Sequence, residues 1–144
     1  MHKITKTMAL SALSLCIYLL PFSSKAANLV IDNQTFFPST SQINNQSKNA
    51  QCSKDIPDYG ITPPHTKNTI PSGIVFAACL ANLKSCTAEV HMSNDCTGPI
   101  IATVVFDFYN GIKSIANNYG PRGFIIANPP RSPFYVDIMG GPAA

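Results

Sequence analysis

There is no tryptophan in these 144 residues. Sugar-binding platforms lean on large aromatic faces, so a carbohydrate-binding reading starts weak, with only Tyr59, Tyr109, Tyr119 and Tyr135 to substitute. Charge is also scarce, at 12% of residues. Of the 10 Lys and Arg, Lys3, Lys6 and Lys25 lie within the first 26 residues, so seven remain to balance seven Asp and Glu. That neutral remainder has no positive stripe of the kind phosphate backbones attract, and no nucleic-acid partner is expected. Histidine is confined to His65 and His91 beyond the same point. No G-x-S-x-G elbow, H-E-x-x-H pair or P-loop is present. After residue 26 no apolar run approaches the ~20 residues needed to span a bilayer. These absences leave no catalytic residue, metal or cofactor to name, and point to a monomer with no membrane span.

The chain opens with a short basic segment, MHKITKTM, then the apolar run ALSALSLCIYLLPF, then SSKA, with Ser24 and Ala26 at the two small-residue positions. This reads as a secretory signal peptide over residues 1–26, cut after Ala26. Cys16 sits inside the apolar run behind Leu15, where a lipid-bearing cysteine would require a small residue. Cleavage leaves residues 27–144, which is 144 − 26 = 118, enough for a single domain with one core. Four cysteines remain: Cys52, Cys79, Cys86 and Cys96. An even count in a small exported domain implies two disulfides, with three possible connectivities. The expected pairing is Cys86–Cys96 and Cys52–Cys79. The rival is zinc, because Cys86, His91 and Cys96 are spaced like ligands.

The strongest structural signal is Thr97 to Ile115, TGPIIATVVFDFYNGIKSI, a β-hairpin. Alternate side chains of a strand share a face, so Ile100, Ala102, Val104, Phe106 and Phe108 form one apolar side. Asn110-Gly111 supplies residues that tolerate positive φ for the reversal. A two-residue turn would place Phe108 opposite Lys113. A three-residue loop from Tyr109 to Gly111 would instead pair Phe108 with Ile112, Asp107 with Lys113 and Val105 with Ile115. The second register satisfies both faces and is the one expected.

Further strands are predicted at Ala27 to Asp32, at Thr40 to Asn45 as an edge, and at Thr87 to Ser93 with Glu89 and His91 outward. Two more follow at Gly123 to Asn128 and Phe134 to Met139. Ile74 to Ala81 suits a buried strand or a short helix, and its β-branched start favours the strand. Asp55 to Ser72 holds four prolines and reads as a long irregular loop, either a binding surface or a cover over one sheet. Asn33-Gln-Thr35 and Asn45-Gln-Ser47 match the glycosylation acceptor pattern. About eight short strands and no long amphipathic helix predict an all-β fold, a small antiparallel, disulfide-stapled β-sandwich.

The segments IDNQT, ACLAN and SCTAEVHMSNDCTGPIIATVVFDFYNGIKSI, with the closing GGP, resemble a family of small exported Legionella proteins of unknown function that includes substrates of type II secretion. The resemblance covers most of the chain beyond the leader. It implies export through the periplasm, where disulfides form, release from the cell, a β-sandwich-like domain and a role around infection of host cells. It brings no catalytic motif. The expected function is therefore a secreted, non-enzymatic protein that meets a host or extracellular protein or glycan through its loops, with Tyr59, His65, Tyr109 and Tyr119 as contacts. The alternative is a small hydrolase acting on glycans or peptides with Glu89, His91, Asp107 or Asp137. A third reading makes the Pro-rich loop the bait of a protease inhibitor.

Overall fold

The computed structural model describes residues 27–44 and 50–143. The leader and Asn45-Gln-Ser47 lie outside the described residues. Nine strands and one α-helix follow in the order β1 (Leu29–Asn33), β2 (Thr40–Asn44), β3 (Gln51–Cys52), β4 (Thr66–Ile70), α1 (Ser72–Ala78), β5 (Cys86–His91), β6 (Ile100–Asp107), β7 (Gly111–Asn117), β8 (Phe124–Ala127) and β9 (Tyr135–Gly140). They form an all-β fold of two sheets, ordered β4-β1-β9-β8 and β3-β2-β5-β6-β7. The five-stranded sheet is antiparallel throughout. The four-stranded sheet departs from the purely antiparallel expectation, because β1 and β9 run parallel.

Alternation along the strands explains the core. Val90, Ala102 and Val104 from the larger sheet pack with Phe124, Ile126, Val136 and Ile138 from the smaller one. Each of these Val, Ile and Phe side chains contributes roughly 1.5–3 kcal/mol when fully buried. A second cluster of Val75, Cys79, Cys86 and Phe106 closes one end under α1. Between the edges β7 and β8, Asn117 stands in for a strand. Its Oδ1 accepts the Ile126 N–H at 2.7 Å and its Nδ2 donates to the Ile126 carbonyl at 2.9 Å.

The hairpin has the expected inward face, but neither expected register. Val104 faces Ile115, Phe106 faces Ile112 and Asp107 faces Gly111, with a bulge between Val105 and Phe106. The loop is Phe108 to Asn110. The cause is Asp107. Its carboxylate accepts the backbone N–H groups of Tyr109 (2.8 Å) and Asn110 (3.2 Å) and the Asn110 side-chain amide (3.0 Å). It is thus committed to the turn, a role Asp takes readily, instead of pointing to solvent opposite Lys113. Gly111, at φ 98°, accepts the left-handed conformation beside the Pro133 carbonyl, where a Cβ would collide.

Three other expectations are corrected. Ile74 to Ala81 is not a strand: α1 occupies most of it, entered through Pro71, whose carbonyl accepts the N–H of Ile74 and Val75. Seven residues are too few for a helix to stand alone; burial of Val75 and Cys79, one turn apart, holds it. The Asp55 to Ser72 loop contains β4, an edge strand whose neighbouring prolines, Pro64 and Pro71, fall outside it. β2 is not quite an edge, since the two-residue β3 covers Gln42 and Ile43.

Candidate interaction surface

The cysteines pair as Cys52–Cys96 and Cys79–Cys86, not as expected. Cys79 leaves α1 and Cys86 opens β5, so the second bridge ties the helix directly to the larger sheet. The first ties the short strand β3 to the loop after β5. Cys86 and Cys96 thus belong to different bridges, which removes the zinc reading. Among the described residues no three His, Cys, Asp or Glu side chains converge.

The proposed hydrolase residues do not meet. His91 is buried, not outward, because the sheet bulges between Val90 and His91. Its Nδ1 lies 3.0 Å from the Gly98 carbonyl, and its Nε2 has no partner. Glu89 sits half-buried mid-strand in the larger sheet. Asp107 is spent on the hairpin turn. The Asn110 side-chain amide, aided by the backbone N–H groups, holds its carboxyl below the ordinary value of 3.8. Asp137 belongs to the smaller sheet, between the buried Val136 and Ile138, and accepts the Gln34 side-chain amide at 3.1 Å.

That outer face of the smaller sheet carries a polar group the sequence did not single out. Asp32 has Lys67 and Asp137 as strand neighbours on its two sides. Tyr135 donates to Asp32 at 2.9 Å, and Lys67 lies 5.6 Å over the Tyr135 ring. The Tyr135 hydroxyl, followed by the Asp32 and Asp137 charges, holds the Lys67 ammonium above its ordinary range. These groups satisfy one another, and the surface they make is a solvated one.

The four predicted contact residues are dispersed. Tyr59 is half-buried against the interior, in a segment whose Gly60 and Thr62 are buried. The middle of Asp55 to His65 is thus packed down at Tyr59, Gly60 and Thr62, while Asp55, Pro57, Asp58, Ile61 and Pro63 to His65 are exposed. His65 is exposed and stacks edge-on against Phe36 at 4.5 Å. Tyr109 and Tyr119 are exposed at opposite ends of β7, whose seven residues span roughly 20 Å. The Asn33 acceptor site is closed. Asn33 is fully buried, with its amide donating to the carbonyls of Phe37, Thr62 and Pro63 and its oxygen accepting from Thr35.

Exposed apolar side chains gather at the α1 end. Phe76 is 40% exposed, Leu80 60% and Tyr109 45%. Phe76 meets Phe108 edge-on at 5.4 Å, and Phe108 meets Tyr109 at 5.3 Å. Leu80 lies four residues beyond Phe76, where the chain has just left the helix. Phe76 and Leu80 escaped notice because a strand reading of Ile74 to Ala81 leaves no special face. A helical reading would have set them at i and i+4 on one side, about 100° around from Val75 and Cys79.

No curated protein matches this chain. A solved structure, the crystal structure of the Legionella pneumophila type II secretion system substrate NttC, aligns with a TM-score of 0.61 at 21% identity, covering 80% of this chain and 98% of that one. That likeness is one of fold. No helix among the described residues is long and apolar enough to cross a membrane. The family model for the T2SS substrate NttC matches residues 1–127. Its members are exported through the periplasm, an oxidising route with which two disulfides agree. The chain belongs to the NttC family of type II secretion substrates.

Proposed function

We propose that this protein, released after cleavage behind Ala26 as one domain, is a non-enzymatic interaction protein that binds a host protein through its α1 end. One observation carries this: Phe76 and Tyr109 stay exposed on either side of Phe108, with Leu80 exposed just past the end of α1, whereas the polar candidates for catalysis are dispersed. Contiguous exposed apolar surface on a soluble protein marks contact sites more often than single exposed residues do. The platform is fixed by the Cys79–Cys86 bridge on one side and the Asp107 turn on the other. Aromatic side chains held this way bring large contact area at low entropic cost.

The test is capture from host-cell extract by the mature, oxidised protein. Leu80→Ser with Tyr109→Ser should lose the captured protein while folding normally, and Tyr119→Ser should keep it. Equal capture by wild type and both variants would remove the α1 end from the account. N-terminal sequencing of secreted protein should begin at Ala27.

A further inference from the structure

The interior of this protein is not filled. A cavity of about 120 Å³ lies between the sheets and beneath α1. Protein interiors are close-packed, and voids larger than a water molecule are few. The central positions show why this one persists. Ala88, on the middle strand of the five-stranded sheet, projects inward between Cys86 and Val90 but carries only a methyl group. Ala88 and Ile31, both lining the cavity on inner strands, are therefore only half-buried.

The wall chemistry is apolar. Three of the hydroxyls at its rim are already engaged: Thr40 donates to the Ser93 carbonyl, Ser53 accepts the Ser41 N–H and donates to the Gly60 carbonyl, and Thr62 accepts from Asn68. Among the described residues the single buried polar atom without a partner is His91 Nε2, and His91 does not line this cavity. A water placed against the Val104, Ile126, Val136 and Ile138 walls would find no hydrogen bonds. An apolar cavity of about 150 Å³ stays dry and takes a molecule such as benzene.

The cavity also adjoins the surface. A surface groove of about 300 Å³ runs between α1 and the Gln51 to Pro57 segment. Ile43, Ser53, Ile56, Ile74 and Ala78 line both spaces. The inner end of the groove is therefore apolar, and its outer rim carries the exposed Gln51 and Asp55. An apolar void adjoining a polar-rimmed groove suits a molecule that is hydrocarbon at one end and polar at the other.

We infer that this groove and cavity together hold the alkyl chain of a small amphiphile, tail inward beneath α1, with its polar head at the groove. The site is separate from the exposed α1 face of the functional proposal, and neither depends on the other.

Crystals of the wild-type protein pressurised with xenon should show the atom between Ala88 and Val136. In solution, octan-1-ol at ten times its Kd should raise Tm by about 5 °C. Ala88→Leu fills the void and should abolish that shift; Ala88→Val, a smaller change that keeps the fold safe, should reduce it. Octanoate and octylamine then distinguish an anionic from a cationic natural head, and benzene a free hydrophobe from a chain: a larger shift with an amphiphile than with benzene is expected. An empty cavity under xenon, no shift with octan-1-ol, an undiminished shift in both variants, or benzene outperforming every amphiphile would overturn the inference.

Discussion

The two ends of the two-sheet body are finished by opposite means. At the end where β1 stops, polar side chains are buried: Asn33, Thr35, Thr40 and His91. They substitute for missing backbone partners. Asn33 ties three loop carbonyls together, and Thr40 donates to the Ser93 carbonyl while accepting the Cys96 N–H. Even its exposed cation is spent on packing, with Arg122 at 4.6 Å over Phe37. At the α1 end, apolar side chains are left uncovered, and the polar group that matters, Asp107, only shapes the turn beneath them. One end uses polarity to hold loops down. The other uses a bridge and a turn to hold aromatic groups up.

The contrast can be broken most severely at the bridges. They close loops of 44 and 7 residues. In the chain-entropy model these are worth about 4 and about 2 kcal/mol. Cys52→Ser with Cys96→Ser should therefore lower the urea midpoint more than Cys79→Ser with Cys86→Ser. The second pair, though milder, should be the one that impairs partner capture. The reverse assignment would undo the distinction between the ends.

Asn33→Ala comes next. The Phe37 and Thr62 carbonyls keep their bonds from the Thr35 hydroxyl and the Ser39 N–H, but the Pro63 carbonyl and the Thr35 N–H lose their partner, and a loss of about 2–3 kcal/mol is expected in equilibrium unfolding, with partner capture unaffected at temperatures where the variant is folded. Asp107→Ala should cost less, about 1–2 kcal/mol at pH 7. Its pH dependence is distinctive. The folded carboxyl titrates below its ordinary 3.8, so its contribution is complete above that value and is lost as pH falls through the folded pKa. The gap in stability between wild type and Asp107→Ala should close on acidification below pH ~3.8. A gap that stays constant to lower pH would mean the ionised carboxylate is not what holds the turn. Smallest in stability, under about 0.5 kcal/mol, is Leu80→Ser with Tyr109→Ser. Urea denaturation should barely distinguish this variant from wild type, while capture is lost.

Much of the framework was legible because it rests on short-range pattern. Ile100 to Phe106 alternates without interruption, and both the strand and its buried face follow from the residues alone. The turn did not follow, since Asp107 and Lys113 look like a cross-strand pair until the carboxylate is seen accepting its own loop's N–H groups. Ile74 to Ala81 is apolar enough for either state, and tertiary burial of Val75 and Cys79 decided for helix. Disulfide partners depend on which strands become neighbours, and no local signal sets β2 between β3 and β5. Of the α1 surface, Tyr109 was visible as a turn aromatic. Phe76 and Leu80 were hidden behind the wrong period.

The most direct test is hydrogen exchange on the complex with the captured host protein. Protection gained on binding should fall on Phe76 to Leu83 and on Phe108 to Asn110, with the Asn118 to Gly123 loop at the other end unchanged. New protection at Asn118 to Gly123, with none around α1, would contradict the assignment of the exposed end as the one that meets a partner.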